Sequence, residues 1–279
     1  MKIGVSAFAW TAQFQPHHLD RLPILKEMGL EAVEIPMFDP GMLTAEQIGA
    51  AFKANELDCT VCALLPKSCN PISPDPAARQ RAIEHLKRCV EASAAMGAKL
   101  LGGPLFSPIG YLPKHRPTPD EWSRAIDAFQ ALRDLLEKNE LTLSIEPVNR
   151  SETFFLRTAA EAKLLCHAIA DPRVGVTVDT FHANIEELSI AKAIVNLGYH
   201  LKHVHLSEND RGPLGRGHIP FKEIVSSLRQ IGYTGYLIIE GFGYDRAERN
   251  APGRLWASTD VSPQSLVAES LQFLRACIG

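Results

Sequence analysis

Hydrophobic positions along the chain fall into two alternating kinds of segment. Short apolar runs rich in Val, Ile and Leu are followed by longer segments whose apolar residues recur with a helical period, and the alternation repeats about eight times. This pattern is typical of βαβ units in a parallel sheet. The predicted strands are 3–8, 32–35, 60–65, 99–105, 142–148, 175–182, 201–207 and 236–242. Eight such strands predict an α/β fold, a closed (β/α)8 or TIM barrel.

The segments between the strands support this architecture. Helical patterns cover 76–96 and 118–138, and Thr118 with Glu121 three residues later has the spacing of a capping box. Loops rich in Pro or Gly follow the third, fourth and seventh strands, and in a barrel they lie at the end where catalytic residues sit. A doubly wound open sheet is the alternative, but no G-x-G-x-x-G follows the first strand.

Composition and charge narrow the classes of partner. The chain of 279 residues is 46% hydrophobic, which fits one barrel domain over residues 1–279. The net charge of −3 comes from mixed signs without a basic run, so we expect no nucleic-acid partner. Strand-like residues begin at Ile3 and no apolar stretch reaches a membrane span, so we expect a cytoplasmic protein with no membrane partner.

The six cysteines are expected to be reduced thiols, because a chain of this size does not need a disulfide framework. Cys59 and Cys62 form a single C-x2-C pair on a predicted strand. Residues three apart on a strand point to opposite faces, so we expect no zinc at this pair.

Four consecutive strands end on residue types that bind metals, namely Glu146, Asp179, His205 and Glu240. In each strand the residue that immediately precedes the metal-binding type is Val or Ile. Because side chains alternate along a strand, the aliphatic residue faces the helices and the polar one faces the barrel axis. For any one strand alone, a polar residue closing an apolar run is an equally good interpretation. For four in succession, convergence at one end of the barrel is favoured.

Three of these four residues are carboxylates, and that charge predicts a cation. Burying them together without one would cost several kcal/mol each or drive their pKa values upward. Three oxygen ligands and one imidazole suit Mn²⁺, Mg²⁺ or Co²⁺ better than structural zinc. Octahedral coordination would leave two positions for substrate oxygens. Such a site fits an α-hydroxy-ketone, whose adjacent oxygens chelate the ion while the enediolate forms.

Glu146 and Glu240 come from different strands and so are expected to flank the reacting carbon, one as base and one as acid. Removal of a proton on one face and its return on the other is an epimerisation. His203 has the inward parity of His205 but lies one layer deeper, which favours a hydrogen-bonded supporting role. His218 remains open as a rim residue or a ligand of a second metal.

Three further polar residues, Glu152, His182 and Arg211, stand near these four in sequence. Each has another interpretation. Glu152 and Arg211 fit exposed loop charges, and His182 fits a helix-start histidine with a local partner. Their nearness to the predicted ligands makes them candidates for substrate contacts.

Several segments resemble one enzyme family: IEPVNRSET, VTVDTFHANIEE, HVHLSENDRGPLGRGHIPF, YTGYLIIEGF and SLQFLR. They are similar to the sugar phosphate isomerase and epimerase superfamily of xylose-isomerase-like barrels, and within it to the ketose 3-epimerases that act on tagatose or psicose. The matches run from mid-chain to the end, and the N-terminal half is less similar.

The resemblance implies a metal-dependent ketose 3-epimerase that deprotonates and reprotonates C3 of a keto-sugar through a metal-bound cis-enediolate. It implies one divalent ion per subunit, Mn²⁺ first and Co²⁺ or Mg²⁺ as alternatives, in a homodimer or homotetramer. Glu146 and Glu240 would be ligands and the acid–base pair, with Asp179 and His205 completing the site. Glu152, His182 and Arg211 would hold the O1 to O3 end of the sugar, and Cys62 would line the pocket.

Other functions share the scaffold. Hydroxypyruvate isomerase, inosose dehydratase and keto-glycoside epimerase also need a chelated enol. An endonuclease IV-like nuclease needs histidines after the third and fourth strands. The sequence there reads VCALLP and LLGGPLF, without a histidine, which disfavours this class. A non-catalytic sugar-binding barrel is a further class. Gly241 and Gly243 lie where barrels often bind phosphate, which leaves phosphorylated substrates open.

Overall fold

A computed structural model describes residues 1–42, 44–242 and 261–279. Within these residues eight parallel strands pair in chain order and close into one barrel, with β1 hydrogen-bonded to both β2 and β8. The predicted (β/α)8 barrel is therefore confirmed. The strands are β1 Lys2–Ser6, β2 Ala32–Met37, β3 Asp58–Ala63, β4 Leu100–Gly103, β5 Thr142–Ile145, β6 Val174–Asp179, β7 Leu201–Leu206 and β8 Tyr236–Ile239.

Helices surround the barrel, and in the described chain four short 3-10 segments lie next to its helices and strands. The α-helices of the described chain are α1 Leu22–Glu27, α2 Ala45–Ala54, α3 Pro76–Ala95, α4 Pro119–Gln130, α5 Arg133–Lys138, α6 Ala159–Ile169, α7 Thr180–Glu186, α8 Ile190–Leu197, α9 Phe221–Gln230 and α10 Pro263–Ile278. The 3-10 segments are Ala7–Ala9, Pro16–Arg21, Pro40–Met42 and Gly198–His200. No α-helix in the described ranges is long and apolar enough to cross a membrane.

The predicted helix 118–138 divides into α4 and α5. Its start is as predicted: Glu121 N donates to Thr118 Oγ1 at 3.3 Å and Thr118 N donates to Glu121 Oε2 at 2.8 Å. The division follows Gln130, where Leu132 N bonds to Phe129 O, three residues back, at 3.1 Å. This tighter bond narrows the last turn and interrupts the α-helical ladder.

Several predicted strands extend too far at their carboxyl ends, and β6 shows the physical reason. The strand ends at Asp179, not at residue 182, because Asp179 becomes the N-cap of α7 and its Oδ1 accepts from Phe181 N at 2.9 Å. The chain thus passes directly from strand to helix. This tight connection brings Asp179 and His182 close together at the top of the barrel.

The barrel interior beneath the carboxyl ends is unusually polar. Glu34 pairs in register with Thr60, and Thr177 with His203, and all four side chains are fully buried. Ser144 Oγ lies 2.6 Å from Thr177 Oγ1. Aliphatic residues of the same strands pack outward against the helices and form the main hydrophobic core. A polar layer therefore supports the site from below.

Candidate active site

The structure brings the four predicted ligands together. Glu146 follows β5, Asp179 ends β6, His205 lies in β7 and Glu240 follows β8, and none is more than 4% exposed. Potential ligand atoms of Asp179, His205 and Glu240 all lie within 4.8 Å of one another. His205 Nδ1 lies 3.4 Å from Glu146 Oε1 and 3.9 Å from Glu240 Oε1. Glu146 and Glu240 therefore both lie within 4 Å of the His205 imidazole, beside Asp179.

Backbone pairing explains this convergence. Asp179 is the register partner of His205, so these two side chains leave the sheet at the same level. Glu240 N donates to Leu206 O at 2.9 Å, and Glu146 N donates to Gly103 O at 3.0 Å. Each glutamate, although one residue past its strand, is thus held by a sheet-like hydrogen bond to the neighbouring strand.

Arg211 lies inside the carboxylate cluster and is 6% exposed. Its Nη1 donates to Asp179 Oδ2 at 2.8 Å and to Glu240 Oε2 at 2.5 Å. The guanidinium carbon lies 4.0 Å from the ring centre of Phe181 and 5.0 Å from that of Phe242. The acidic groups raise the pKa of Arg211 despite its burial. The interpretation of Arg211 as an exposed loop charge is therefore wrong.

Glu208 organises the loop that carries Arg211, and the sequence did not predict its role. The side chain is fully buried. Its Oε1 accepts from Asn209 N at 3.2 Å and Ile219 N at 3.1 Å, and its Oε2 accepts from Gly215 N at 2.9 Å. Arg211 itself has a left-handed backbone, with φ of 60°. The carboxylate ties both ends of the loop together and so supports that conformation.

His182, Glu152 and Arg211 share one wall of the site. His182 Nδ1 accepts from Asn149 N at 3.2 Å and lies 2.9 Å from Asn149 Nδ2. Its Nε2 lies 3.2 Å from Arg211 Nη2. Burial lowers the pKa of His182 to about 3, so the ring is neutral near pH 7. Asn149 Nδ2 also donates to Glu152 Oε1 at 3.1 Å, which links all three predicted substrate-contact residues.

The pKa of Glu152 is raised by burial, an effect that nearby Arg211 opposes. Glu152 is half-buried and lines the cavity, so it is not the freely exposed loop charge that a lone glutamate suggests. A carboxyl group with a raised pKa carries a proton more readily. It can then donate a hydrogen bond to a sugar oxygen as well as accept one.

A fully buried carboxylate that the sequence did not predict lies below the cluster. Glu34, in the middle of β2, has Oε1 2.9 Å from His205 Nε2 and Oε2 2.7 Å from His203 Nε2. Burial would raise the pKa of Glu34, but the two histidines lower it. The expectation that His203 is a hydrogen-bonded supporting residue agrees with this contact. The only sequence signal for Glu34 is a charged residue at inward parity in an apolar strand.

A cavity of about 320 Å³ opens above these residues. Cys62, at 3% exposure, lines it together with Glu146, Glu152, His182, Arg211 and Glu240. Apolar side chains also line the cavity, namely Phe8, Leu64, Ile109 and Phe242. Burial and the nearby carboxylates raise the pKa of the Cys62 thiol, so it lines the cavity in neutral form. The volume suits a single small polar molecule held mainly at one end.

The donor set fits a divalent ion. Burial alone would lower the pKa of His205, but the surrounding carboxylates raise it well above the usual histidine range. The same negative potential holds the buried Arg211 among carboxylates. Oxygen donors from Glu146, Asp179 and Glu240 with one imidazole match the preference of Mn²⁺, Mg²⁺ and Co²⁺.

His218 lies on the exposed rim of the barrel. Its Nε2 is 3.3 Å from Asn184 Nδ2, and it belongs to none of the close groups of potential ligands among the described residues. This position favours the rim interpretation over a second-metal ligand. The six cysteines are free thiols, as expected. Gly243 lies outside the described residues.

The comparisons cover almost the whole chain. The family model described as Xylose isomerase-like TIM barrel matches residues 22–277. A probable ketose 3-epimerase of Synechocystis sp. is 28% identical over 99% of this chain and 96% of that protein. A ketose 3-epimerase of Arthrobacter globiformis is 30% identical, again over 99% and 96%. A solved L-ribulose 3-epimerase superposes with a TM-score of 0.92 at 27% identity, covering 99% of this chain and 94% of that one. The similarity therefore includes the N-terminal half.

Proposed function

Because the chain belongs to the xylose isomerase-like TIM barrel family, we propose that it is a divalent-metal-dependent ketose 3-epimerase. The observation that carries the proposal is the placement of the two glutamates. Glu146 and Glu240 both present an oxygen toward His205 Nδ1, at 3.4 and 3.9 Å. They come from β5 and β8, which are separated by two strands, so they approach the cavity from different sides.

Two carboxylates on different sides of one substrate carbon suit epimerisation. One glutamate removes the proton from C3 of the ketose, and the other returns a proton to the opposite face of the planar enediolate. The reaction requires one carboxylate and one carboxylic acid at the start, and their roles reverse for the return reaction. Arg211 Nη1 donates to Glu240 Oε2, which fixes the orientation of this carboxylate beside the cavity.

A divalent ion held by Glu146, Asp179, His205 and Glu240 would supply positive charge that stabilises the negative charge left after C3 loses its proton. The protein residues define where the sugar lies. Arg211 and the neutral His182 offer hydrogen bonds beside the cluster, and Glu152 extends this polar wall. The stacked phenylalanines around Arg211 restrict its motion, so it keeps its donors in place. The polar wall is therefore expected to bind the O1 to O3 end of the sugar.

The test is conversion of free ketoses in the presence of Mn²⁺. D-Fructose, D-tagatose and L-ribulose are each expected to yield the C3 epimer, namely D-psicose, D-sorbose and L-xylulose, separated by chromatography. In ²H₂O the epimer should carry deuterium at C3, because the returned proton exchanges with solvent. Conversion of hydroxypyruvate alone, or of none of the ketoses, would contradict the proposal.

Variants test the roles of the two glutamates. Glu146→Gln and Glu240→Gln are each expected to lower kcat by about 10²- to 10⁴-fold, since each removes a proton-transfer group. Glu91→Gln, on the exposed face of α3, is the matched control and should keep full activity. Treatment with EDTA should abolish turnover, and Mn²⁺, Co²⁺ or Mg²⁺ should restore it. Turnover that persists in Glu240→Gln would argue against the acid–base pair.

We also propose that residues 1–279 form one barrel domain and that the protein is a homodimer or homotetramer. Analytical ultracentrifugation of the metal-loaded protein measures the number of chains in the assembly directly. A sedimentation coefficient that corresponds to one chain at micromolar concentration would contradict it. Activity at concentrations where only single chains are present would show whether assembly matters for turnover.

A further inference from the structure

One carboxylate near the proposed metal site faces away from the cavity. Glu34 is fully buried in the barrel interior, on the side of His205 remote from Glu146 and Glu240. Its Oε1 lies 2.9 Å from His205 Nε2, and its Oε2 lies 2.7 Å from His203 Nε2. Thr60 Oγ1 also donates to Oε2 at 3.2 Å. Three groups on two strands therefore hold this carboxylate in a fixed position.

The contact with His205 determines which of its nitrogens faces the cluster. An imidazole ring carries its proton on one nitrogen when neutral and offers the lone pair of the other to a metal. Since Nε2 lies against a carboxylate oxygen, it is the nitrogen that keeps the hydrogen. Nδ1 then carries the lone pair that can bind a metal, and it lies 3.4 Å from Glu146 Oε1.

A competing arrangement exists. Glu34, Cys62 and His205 also have potential ligand atoms within 4.8 Å of one another, so they form a second possible metal group. However, an ion there would have to displace the contacts of Glu34 with His203 and Thr60. It would also need a thiolate, whereas burial and nearby carboxylates raise the pKa of Cys62. The contacts with His203 and His205, at 2.7 and 2.9 Å, thus favour Glu34 as the partner of the two imidazoles over Glu34 as a ligand.

We propose that Glu34 is a positioning residue that fixes the orientation and tautomer of His205 and thereby sets the affinity of the site for its divalent ion. The inference rests on the proposed function, because it assumes that His205 Nδ1 binds the ion. Carboxylates placed behind metal-binding histidines affect metal affinity by about 10- to 100-fold. Glu34 would do so without touching either the ion or the substrate.

Glu34→Gln tests the inference through metal affinity. The amide has one acceptor oxygen for two imidazole N–H groups, so it cannot hold both histidines as the carboxylate does. Isothermal titration calorimetry of the metal-free protein with Mn²⁺ should show about 10- to 100-fold weaker binding in this variant. The visible spectrum of the Co²⁺-loaded protein should change as well, because the imidazole donor is displaced.

Thr60→Val is the matched control. It removes a hydrogen bond from the same carboxylate but leaves both imidazole contacts, so Mn²⁺ affinity should change less than threefold. Equal weakening in Thr60→Val and Glu34→Gln would mean that general disturbance of the polar layer is responsible, and would overturn the inference.

A measurement on the unaltered protein avoids dependence on folding of the variant. Long-range ¹⁵N–¹H spectra of histidine-labelled protein loaded with diamagnetic Mg²⁺ report the tautomer of His205. The expected result is a hydrogen on Nε2. A hydrogen on Nδ1 would overturn the inference directly.

The outcomes separate the inference from the proposed function. Unaltered protein that binds none of Mn²⁺, Co²⁺ and Mg²⁺ would remove the proposed metal site and the inference with it. Binding by the unaltered protein that is equally tight in Glu34→Gln would overturn the inference alone. Two ions per chain, one of which is lost in Glu34→Gln, would make Glu34 a ligand and would also overturn it.

Discussion

Arg211 Nη1 donates to Glu240 Oε2 at 2.5 Å, which places a buried guanidinium directly against one of the two proposed proton-transfer groups. The same nitrogen also bonds Asp179 Oδ2. Arg211 is a fixed positive charge beside these carboxylates. It therefore serves two purposes, since it compensates their charge and offers donors to the cavity.

Replacement of Arg211 should reveal both purposes. Arg211→Ala leaves two buried carboxylates without their partner, so we expect the free energy of unfolding without metal to fall by about 3 kcal/mol. Saturating Mn²⁺ should recover part of that loss. We also expect kcat/KM to fall at least 100-fold, a loss of about 2.7 kcal/mol in transition-state stabilisation. Urea unfolding with and without Mn²⁺, together with steady-state kinetics, measures these effects.

The control for this variant is Arg216→Ala in the same loop. Arg216 pairs with Glu269 at 2.6 Å, but both side chains are substantially exposed. Exposed pairs contribute between about 0 and 1 kcal/mol, so stability and kinetics should barely change. Similar losses in the two variants would mean that the loop as a whole, and not the guanidinium in the cluster, is responsible.

Glu208→Gln should loosen the loop that carries Arg211. The carboxylate accepts from three backbone N–H groups, whereas the amide brings an NH₂ group against at least one of them. We expect a loss of about 1–3 kcal/mol in unfolding free energy and a larger rise in KM than fall in kcat. Asp210→Asn, which alters an exposed carboxylate that accepts from Gly212 N at 2.9 Å, is the control. An unchanged KM would argue against a role in placing Arg211.

His85 should make stability depend on pH, although it is remote from the site. It is 2% exposed on α3, and burial, followed by the charge of Arg88, lowers its pKa. Below pH 6.5 the unfolded chain gains a proton at this residue that the folded chain does not, so stability falls with decreasing pH. The slope from one such group is at most about 1.4 kcal/mol per pH unit.

The measurement is urea unfolding of the metal-free protein between pH 7.5 and 5.5. His85→Gln should lose less stability over this range than the unaltered protein. The exposed residue His17, changed to Gln, is the matched control and should follow the unaltered protein. Parallel curves for the unaltered protein and His85→Gln would rule out this contribution.

Gly103 should tolerate no side chain. Its φ is 125°, and an added Cβ would lie 2.2 Å from the backbone oxygen of Ala63. Its own carbonyl accepts from Glu146 N at 3.0 Å, so a shift at this point moves a proposed ligand. Gly103→Ala should lower the unfolding free energy by about 3 kcal/mol and weaken Mn²⁺ binding.

Gly110→Ala separates steric overlap from backbone strain at this loop. Gly110 also has a positive φ, of 81°, but an added Cβ would meet nothing within 4 Å. We expect only about 1 kcal/mol of destabilisation and unchanged metal affinity. Equal effects at the two glycines would mean that the contact with Ala63 is unimportant.

The fold and the positions of the four proposed ligands could be predicted because they depend on local patterns. Strand alternation directs Asp179 and His205 inward, and parallel strands bring their carboxyl ends to one face. The role of Glu34 could not be predicted, since its partner His203 lies 169 residues away in the sequence. Glu208 carries no signal in the local pattern. Its burial depends on a loop that folds back over it, which no periodicity indicates.

The length of the predicted strands was wrong for a related reason. Periodicity shows where apolar residues continue. The strand β6, however, ends where a side chain accepts a hydrogen bond from a backbone N–H of the next helix. Asp179 does this by capping α7, as its bond to Phe181 N shows. Phe181, just beyond that point, belongs to the helix and stacks on Arg211.

The pairing of β1 with β8 has a consequence for synthesis of the protein. β1, at Lys2–Ser6, has one of its two neighbours far along the chain, at Tyr236–Ile239. Until that segment emerges, β1 has one unpaired edge, and Glu240 is missing from the cluster. A nascent chain can therefore place His205 on Glu34 before β8 has emerged, but Glu240 joins the acidic cluster only afterwards. Binding of the proposed ion by all four residues would thus follow closure of the ring of strands.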